Sequence, residues 1–448
     1  MSDETLERYI RQYIEASAGP EISFVWHGGE PTLAGLDFYR RAVELQKRYL
    51  PDGWTCRNNI QTNGLLLDDA WCAFIAEADF DVGLSIDGAQ WLHDRYRKDH
   101  GGHGSYERAA NAIRRLQAHG VQADLLCTVT AAAAEEPREI YRALRNLGTG
   151  WIQFIPIVRR VTDEAATPRS DAQSDAKLKV GKPDGSKSDG NNTGSNAPNN
   201  GVRSTNAPNI GSPDGGAPLS TTASTSAPNS STSYAVTPES VSGEGYGRFL
   251  CAVFDEWSLH DLGKLDVQFF AETARVLDGG SPGLCWMAPT CGRVVIVEQD
   301  GGVYACDHFV APSYKIGDIY AAHLGELVDA PAQVRFGESK RDGLPAVCHA
   351  CPWLNACNGG CPKDRFVPAE DGGAPENHLC EGLRHFFTHA EPALAQIVGR
   401  TRQGQEPGAI MAALREQAKT AWKGVGRNDP CPCGSGKKAK QCCWDAHP

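Results

Sequence analysis

ISFVWHGGEPTLAGLDFY, residues 22–39, decides the fold. Ile22–Trp26 is a short β-type run, GGEP is a polar turn cluster, and from Leu36 apolar residues recur at three-and-four spacing, so the stretch reads strand, loop, helix. The unit repeats. Strand candidates Arg57–Thr62, Val82–Ile86, Ala123–Val129 and Trp151–Ile157 alternate with Asp68–Ala78, Tyr106–His119 and Glu135–Leu147, each able to lay one apolar helical face on a sheet. This order predicts an α/β protein with a parallel, TIM-like sheet. TNG and SIDG follow the second and third strands as GGEP follows the first, which puts these residues on the C-terminal edge where barrel active sites are built.

Charge and hydropathy exclude several classes. Lys+Arg 44 against Asp+Glu 55 leaves a net charge of −11, so no sequence-wide basic field exists to hold nucleic acid. No stretch approaches the roughly 18 to 20 consecutive apolar residues a bilayer span needs, and MSDETLERYI carries no apolar signal core. The chain reads as cytoplasmic, with no membrane and no nucleic-acid partner.

Between the fifth strand and Gly243 the composition changes. Gly, Pro, Ser, Asn and Thr supply 43 of the 70 positions 171–240, too little apolar surface to offset the entropy of ordering, and [ST]-[NS]-A-P-N recurs at Ser195–Asn199, Thr205–Asn209 and Thr225–Asn229. Residues 163–242 therefore read as a disordered low-complexity insertion interrupting one domain. Helical pattern resumes with Tyr246, Phe249, Leu250, Val253, Phe254 and Trp257 on one face, so 243–280 return the chain to the barrel.

Sixteen cysteines in a chain read as cytosolic argue for metal rather than disulfides. Eight fall at Cys285, Cys291, Cys306, Cys348, Cys351, Cys357, Cys361 and Cys380, enough for two tetrathiolate sites. Spacing alone does not choose between zinc and iron–sulfur cubes, although a single CxxC and wider separations fit cubes better. The last four, Cys431, Cys433, Cys442 and Cys443, surround a Gly-Ser-Gly turn in a stretch too short to fold without metal. Cys127 reads as core, and Cys56, Cys72 and Cys251 likewise.

WHGGEPTLAGLDFY (26–39), NIQTNG (59–64), VGLSIDG (82–88), YRKD (96–99) and the eight cysteines with Asp307 together resemble radical S-adenosylmethionine enzymes carrying a SPASM twin-cluster domain, above all the anaerobic sulfatase-maturating enzymes. The resemblance implies a partial TIM-like (β/α)6 radical SAM barrel over 1–162, completed by 243–280, and a SPASM domain over 281–400. A helical linker follows over 401–423. GRNDPCPCGSGKKAKQCCW, within 424–448, resembles the SEC-C zinc motif, with zinc on its four cysteines. By the same resemblance Gly28, Gly29 and Glu30 cradle the cofactor's amino group, Ser85 and Arg97 bind its carboxylate, and Val158 lines the adenosyl pocket. Cys285, Cys291, Cys306 and Cys361 would hold the first auxiliary [4Fe-4S] cluster, and Cys348, Cys351, Cys357 and Cys380 the second. Asp307 matches the general base, and an adjacent anionic cluster is expected to raise its pKa.

The implied reaction cleaves S-adenosylmethionine reductively, removes a β-hydrogen from a Cys or Ser of an unfolded sulfatase polypeptide, and leaves a Cα-formylglycine. An electron donor such as flavodoxin or ferredoxin would serve it. The family holds its reducing [4Fe-4S] cluster on CxxxCxxC, which is absent from these 448 residues. The first barrel strand and its cluster loop are therefore expected upstream of Met1. His27 stands where the family commonly has Gln. Two other functions stay open: a SPASM-type maturase of another peptide, and a non-catalytic iron–sulfur and zinc binding remnant.

Overall fold

The computed structural model describes residues 1–161, 235–292, 294–432 and 438–441. The side chain of Ser2 accepts the N–H of Thr5 at 3.1 Å and opens α1, Asp3–Ala16, whose positive first turn carries Asp3 and Glu4. β1 (Glu21–Trp26), α2 (Leu36–Tyr49), β2 (Thr55–Thr62), α3 (Asp69–Glu77), β3 (Phe80–Ser85), α4 (Gln90–Tyr96), α5 (Tyr106–Ala118), β4 (Ala123–Val129), α6 (Pro137–Arg145) and β5 (Trp151–Pro156) follow. After the insertion come α7 (Gly243–His260), β6 (Asp266–Val267) and α8 (Gln268–Leu277).

The strands form one six-stranded parallel sheet in sequence order, with Trp26 opposite Ile60 and Thr62 opposite Leu84. Parallel neighbours need a crossover, and the helices supply it. Ile22, Phe24 and Trp26 are buried on one side of β1 while Ser23 and Val25 are exposed on the other, so one face takes the helices and the other stays open. This is the α/β fold expected. Two elements were not: α4, QWLHDRY, is too polar to show a period, and β6 is only two residues long.

The insertion as read over 163–242 lies outside the described residues up to 234, but its end does not behave as part of it. Val236 pairs with Arg160 in an antiparallel bridge, the N–H of Val161 bonds the carbonyl of Ala235 at 3.0 Å, and Val241 is fully buried. Described structure resumes at 235, and Thr237, Ser240 and Val241 are buried although 237–240 still carry the Ser, Thr and Pro composition of the insertion.

The cysteine-rich half is built from short elements: an antiparallel sheet of β7 (Ile296–Val297), β8 (Gly302–Tyr304) and β9 (Lys315–Asp318), then α9 (Leu324–Val328), α10 (Pro331–Asp342), α11 (Ala346–His349) and α12 (Leu354–Cys357). A second antiparallel pair, β10 (Arg365–Val367) and β11 (Glu376–Asn377), precedes α13 (Cys380–Arg402) and α14 (Pro407–Trp422).

Two seams hold this half to the barrel. At one, buried Gln12 of α1 donates to the carbonyl of Ile319 at 3.0 Å and accepts from the N–H of Leu324 at 2.9 Å. At the other, α7 and α13 touch backbone to backbone: a Cβ on Gly382 would land on the carbonyl of Gly243 and lie 2.7 Å from the nitrogen of Gly247. Phe254, Phe270 and Phe386 extend that seam, with Phe270 and Phe386 stacked at 5.4 Å. Cys72, Cys127 and Cys251 are buried in the main core, as expected of small apolar side chains, and Cys56 is half-buried.

Candidate functional site

The turn after β1 places Gly28 and Gly29 at φ +92° and +55°, with nothing within 4 Å of a Cβ built on either, so backbone stands bare at the rim. Glu30 is fastened to the end of β2. Its Oε1 accepts from Thr62 Oγ1 at 2.7 Å and from the N–H of Thr32 at 3.1 Å, and its Oε2 accepts from the N–H of Asn63 at 2.8 Å. Those bonds explain why TNG follows the second strand: it locks the first loop's carboxylate.

Arg97 is paired within the protein. Its Nε and Nη2 donate to Asp87 at 2.6 and 3.1 Å, and the same carboxylate accepts from the N–H and hydroxyl of Thr128 at 2.9 and 2.7 Å. Asp87 is 2% exposed. Burial acts to raise its pKa, but the charge and hydrogen bonds of Arg97, with those of Thr128, hold it below the usual carboxylate range. His93 completes the network, accepting the N–H of Asp87 at Nδ1 and meeting Ser105 Oγ at 3.0 Å through Nε2; burial pushes it down to about 4. Asp87 and His93 were missed from sequence, although the D of SIDG, two residues after Ser85, was the available signal. Ser85 ends β3, and Val158, half-buried, packs against the main core just past β5, so Glu30, Ser85, Arg97 and Val158 all lie at the C-terminal edge.

The eight cysteines all lie in the cysteine-rich half. Cys348, Cys351, Cys357 and Cys380 line one cavity together with Leu354, Leu383 and Phe387. Cys285 interacts electrostatically with Cys291 and with Cys361, and Cys361 with Cys306, tying the other four together. Burial raises the thiols of Cys285, Cys291, Cys306 and Cys348, and those of Cys357 and Cys361 to about 12 and of Cys380 to about 11. Four sulfur donors in each group, most of them half-buried with Cys348 buried and Cys285 exposed, suit iron–sulfur clusters, which also deprotonate the thiols they bind.

Asp307 stands between the halves. Cys306 Sγ donates to its Oδ1 at 3.0 Å, His308 Nε2 is 3.7 Å from its Oδ2, and His27 at the end of β1 acts on it electrostatically. The protein groups alone act on Asp307 in the opposite sense to an anionic cluster. Burial pushes it up, but His308, the Cys306 thiol and His27 outweigh burial and hold it below the usual carboxylate range. In the tail Cys431 is buried, Pro430 bridges Lys438, and Asp429 accepts the N–H of Gly426 at 2.7 Å; Cys433, Cys442 and Cys443 lie outside the described residues.

A parallel α/β sheet with a GGEP rim, followed by a cysteine-rich half that carries Asp307, defines a radical SAM protein with a SPASM domain. The profile of the Radical SAM superfamily matches residues 1–144, that of the SPASM iron-sulfur cluster-binding domain matches 285–352, and the SEC-C motif matches 427–445. The serine-type anaerobic sulfatase-maturating enzyme of Bacteroides thetaiotaomicron is 37% identical over 93% of this chain and 87% of its own length. The cysteine-type enzyme of Clostridium perfringens (strain 13 / Type A) is 26% identical over 90% of each. A solved structure described as native anSMEcpe with bound AdoMet and the Kp18Cys peptide superposes with a TM-score of 0.67 at 25% identity, covering 89% of this chain and 91% of that one. The chain belongs to the anaerobic sulfatase-maturating enzyme family. It is a radical SAM, iron–sulfur protein of the class that acts on sulfatase peptides. Among the described residues no helix is long and apolar enough to cross a membrane.

Proposed function

We propose that the chain oxidises a Cys or Ser of an unfolded sulfatase to Cα-formylglycine in the cytoplasm. The observation that carries this reading is Asp307, bonded by Cys306 and acted on by His27, the residue before GGEP, as a base between cofactor and electron exit would be. Cys285, Cys291, Cys306 and Cys361 would hold one auxiliary [4Fe-4S] cluster and Cys348, Cys351, Cys357 and Cys380 another, which would supply an electron exit, while S-adenosylmethionine would supply radical chemistry with a reducing cluster whose CxxxCxxC ligands are not among these 448 residues.

The protein's own groups do the rest. The carbonyls of Gly28 and Gly29, with Glu30, receive the cofactor's ammonium, and Ser85 with the Nη1 edge of Arg97 receives its carboxylate, because Asp87 already occupies Nε and Nη2. Val158 packs on the adenosyl group. Asp307, in its carboxylate form, accepts the substrate's hydroxyl or thiol proton at an oxygen. We assign 1–162 and 243–280 to the barrel, 281–400 to the SPASM domain, 401–423 to a helical linker and 424–448 to a zinc tail on Cys431, Cys433, Cys442 and Cys443. A flavodoxin- or ferredoxin-type protein is the proposed electron donor. The greater similarity to serine-type relatives, 37% against 26% for the cysteine type, favours serine as the residue oxidised.

The test is to delete the genomic locus and follow a resident sulfatase by mass spectrometry of its active-site peptide under anaerobic growth. Loss of the aldehyde, restored when the locus is returned, supports the proposal. Unchanged formylglycine with no sulfatase defect would assign this chain to another peptide.

A further inference from the structure

Arg365 is a cation without a carboxylate. Its Nε donates to the carbonyl of Gly359 at 3.0 Å, Nη2 to that of Asn358 at 2.7 Å and Gly360 at 3.4 Å, and Nη1 to those of Lys340 at 2.6 Å and Gly343 at 3.4 Å. Five carbonyl contacts satisfy the guanidinium's hydrogens and leave its charge unneutralised. Among the described residues no Asp or Glu forms an ion pair with it, and the carboxylate of neighbouring Asp364 is taken by Lys363 at 2.7 Å.

Its position explains the omission. Asn358, Gly359 and Gly360 form the turn between Cys357 and Cys361, one cysteine from each group, and the side chain of Arg365 fills the inside of that turn, so a Cβ on Gly359 would lie 2.6 Å from Nη2. The anionic forms that act on the guanidinium are those of Cys348 and Cys357 from one group and Cys291 and Cys361 from the other. Four residues of chain from Cys357 to Cys361 span at most ~14 Å, so the two groups lie close enough to share one charge. Lys340 offers the contrast. It is fully buried, its Nζ donates to the carbonyls of Cys285 at 3.1 Å, Trp286 at 2.8 Å and Ala288, and the cysteines acting on it, Cys285, Cys291 and Cys361, all belong to one group.

Lys340 is buried and Arg365 half-buried, and a charge taken from water needs a compensating one. A cube on four thiolates carries about −2 when oxidised and about −3 when reduced, so a fixed cation stabilises the reduced form more and raises the potential. We propose that Arg365 is the positive charge shared by both auxiliary clusters and raises the reduction potential of each, while Lys340 does so for the first cluster alone. The proposal rests on the reading that the two cysteine groups hold [4Fe-4S] clusters. Each reduction is a one-electron step from the oxidised to the reduced cube, with dithionite as the donor in the assay.

The experiment is an EPR-monitored redox titration of the anaerobically reconstituted protein, with signals assigned by Cys380→Ala, which removes the second cluster's ligand. Iron is counted first. Fewer than about eight auxiliary irons in the unaltered protein overturns the cluster reading and this inference with it. With iron complete, Arg365→Gln is expected to lower both midpoints, Arg365→Lys to return them toward the unaltered values, and Lys340→Gln to lower only the first. Unchanged midpoints in Arg365→Gln, or a shift confined to one cluster, overturn the shared-charge assignment. Loss of iron from Arg365→Gln and Arg365→Lys alike makes Arg365 a clamp on the turn and overturns it too.

Discussion

Replacing Gly382 with alanine tests how the two halves are joined. The added methyl would meet the carbonyl of Gly243 and lie 2.7 Å from the nitrogen of Gly247, while the reciprocal Cβ on Gly247 would lie 2.6 Å from the Cα of Gly382. All of these partners are backbone in α7 and α13 and cannot rotate aside, so the helices must part by about 1 Å, which forfeits up to half of each dispersion contact along the seam. Overpacking costs about 1–3 kcal/mol, and the rigid partners place this case at about 3. At ~2–4 °C per kcal/mol for a domain of ~150–250 residues, Tm should fall by roughly 6–12 °C.

A second loss should accompany the first. Cys380 lies two residues before Gly382 at the start of α13, and a displacement of about 1 Å relative to Cys348, Cys351 and Cys357 exceeds the ~0.2 Å tolerance of metal–ligand bonds. Reconstituted iron should drop from about eight to about four per chain if only the second cluster is lost. Thermal unfolding by circular dichroism and colorimetric iron read both effects. Gly399→Ala, in the same helix but with nothing within 4 Å of its Cβ, is the control and should be neutral or stabilising by up to ~1 kcal/mol. A Gly382→Ala protein with unchanged Tm and full iron would refute the reasoning.

Asp307→Asn should keep its iron and lose turnover by about 10²- to 10⁴-fold, the range of a positioned base; full activity in a peptide assay with clusters intact removes that role. Asp87→Asn leaves Arg97 half-paired and should cost about 3 kcal/mol in urea unfolding and weaken S-adenosylmethionine binding by roughly tenfold or more in calorimetry, and wild-type values in both would sink the positioning argument. His93, at about 4 folded against about 6.5 unfolded, is neutral in both states above pH 6.5, so stability is full there and erodes as pH falls from about 6.5 to 4 because the unfolded chain binds the proton first. The loss should reach about 3 kcal/mol and flatten in His93→Gln, and an equally steep profile in that variant would assign the acid sensitivity elsewhere.

Much of this was legible in the chain. β4 runs Ala123–Val129 and α2 runs Leu36–Tyr49 as read, because buried parallel strands and amphipathic helices write their periods directly into sequence. The two cysteine groups were separable only through the family resemblance, since their order along the chain interleaves. What stayed hidden has a common physical origin. α4 carries four charged or ionisable residues in seven, His93 and Asp87 are polar residues satisfied only by partners from other elements, and Arg365 bonds carbonyls that no side-chain pattern encodes. His308 and His27, which act on Asp307 through the fold, leave no trace in the pattern around Cys306.

The chain leaves the barrel at Val161 and re-enters at Ala235, and those two residues are hydrogen-bonded to each other while Arg160 bridges Val236. Whatever lies between them is closed at its base before it begins. The entropy of closing such a loop rises only with the logarithm of its length, about 0.6 kcal/mol for each doubling. A gene segment entering at this point meets almost no thermodynamic resistance to growth by repetition, and the recurring Ser195–Asn199, Thr205–Asn209 and Thr225–Asn229 units have accumulated at the position where the barrel is least able to register them.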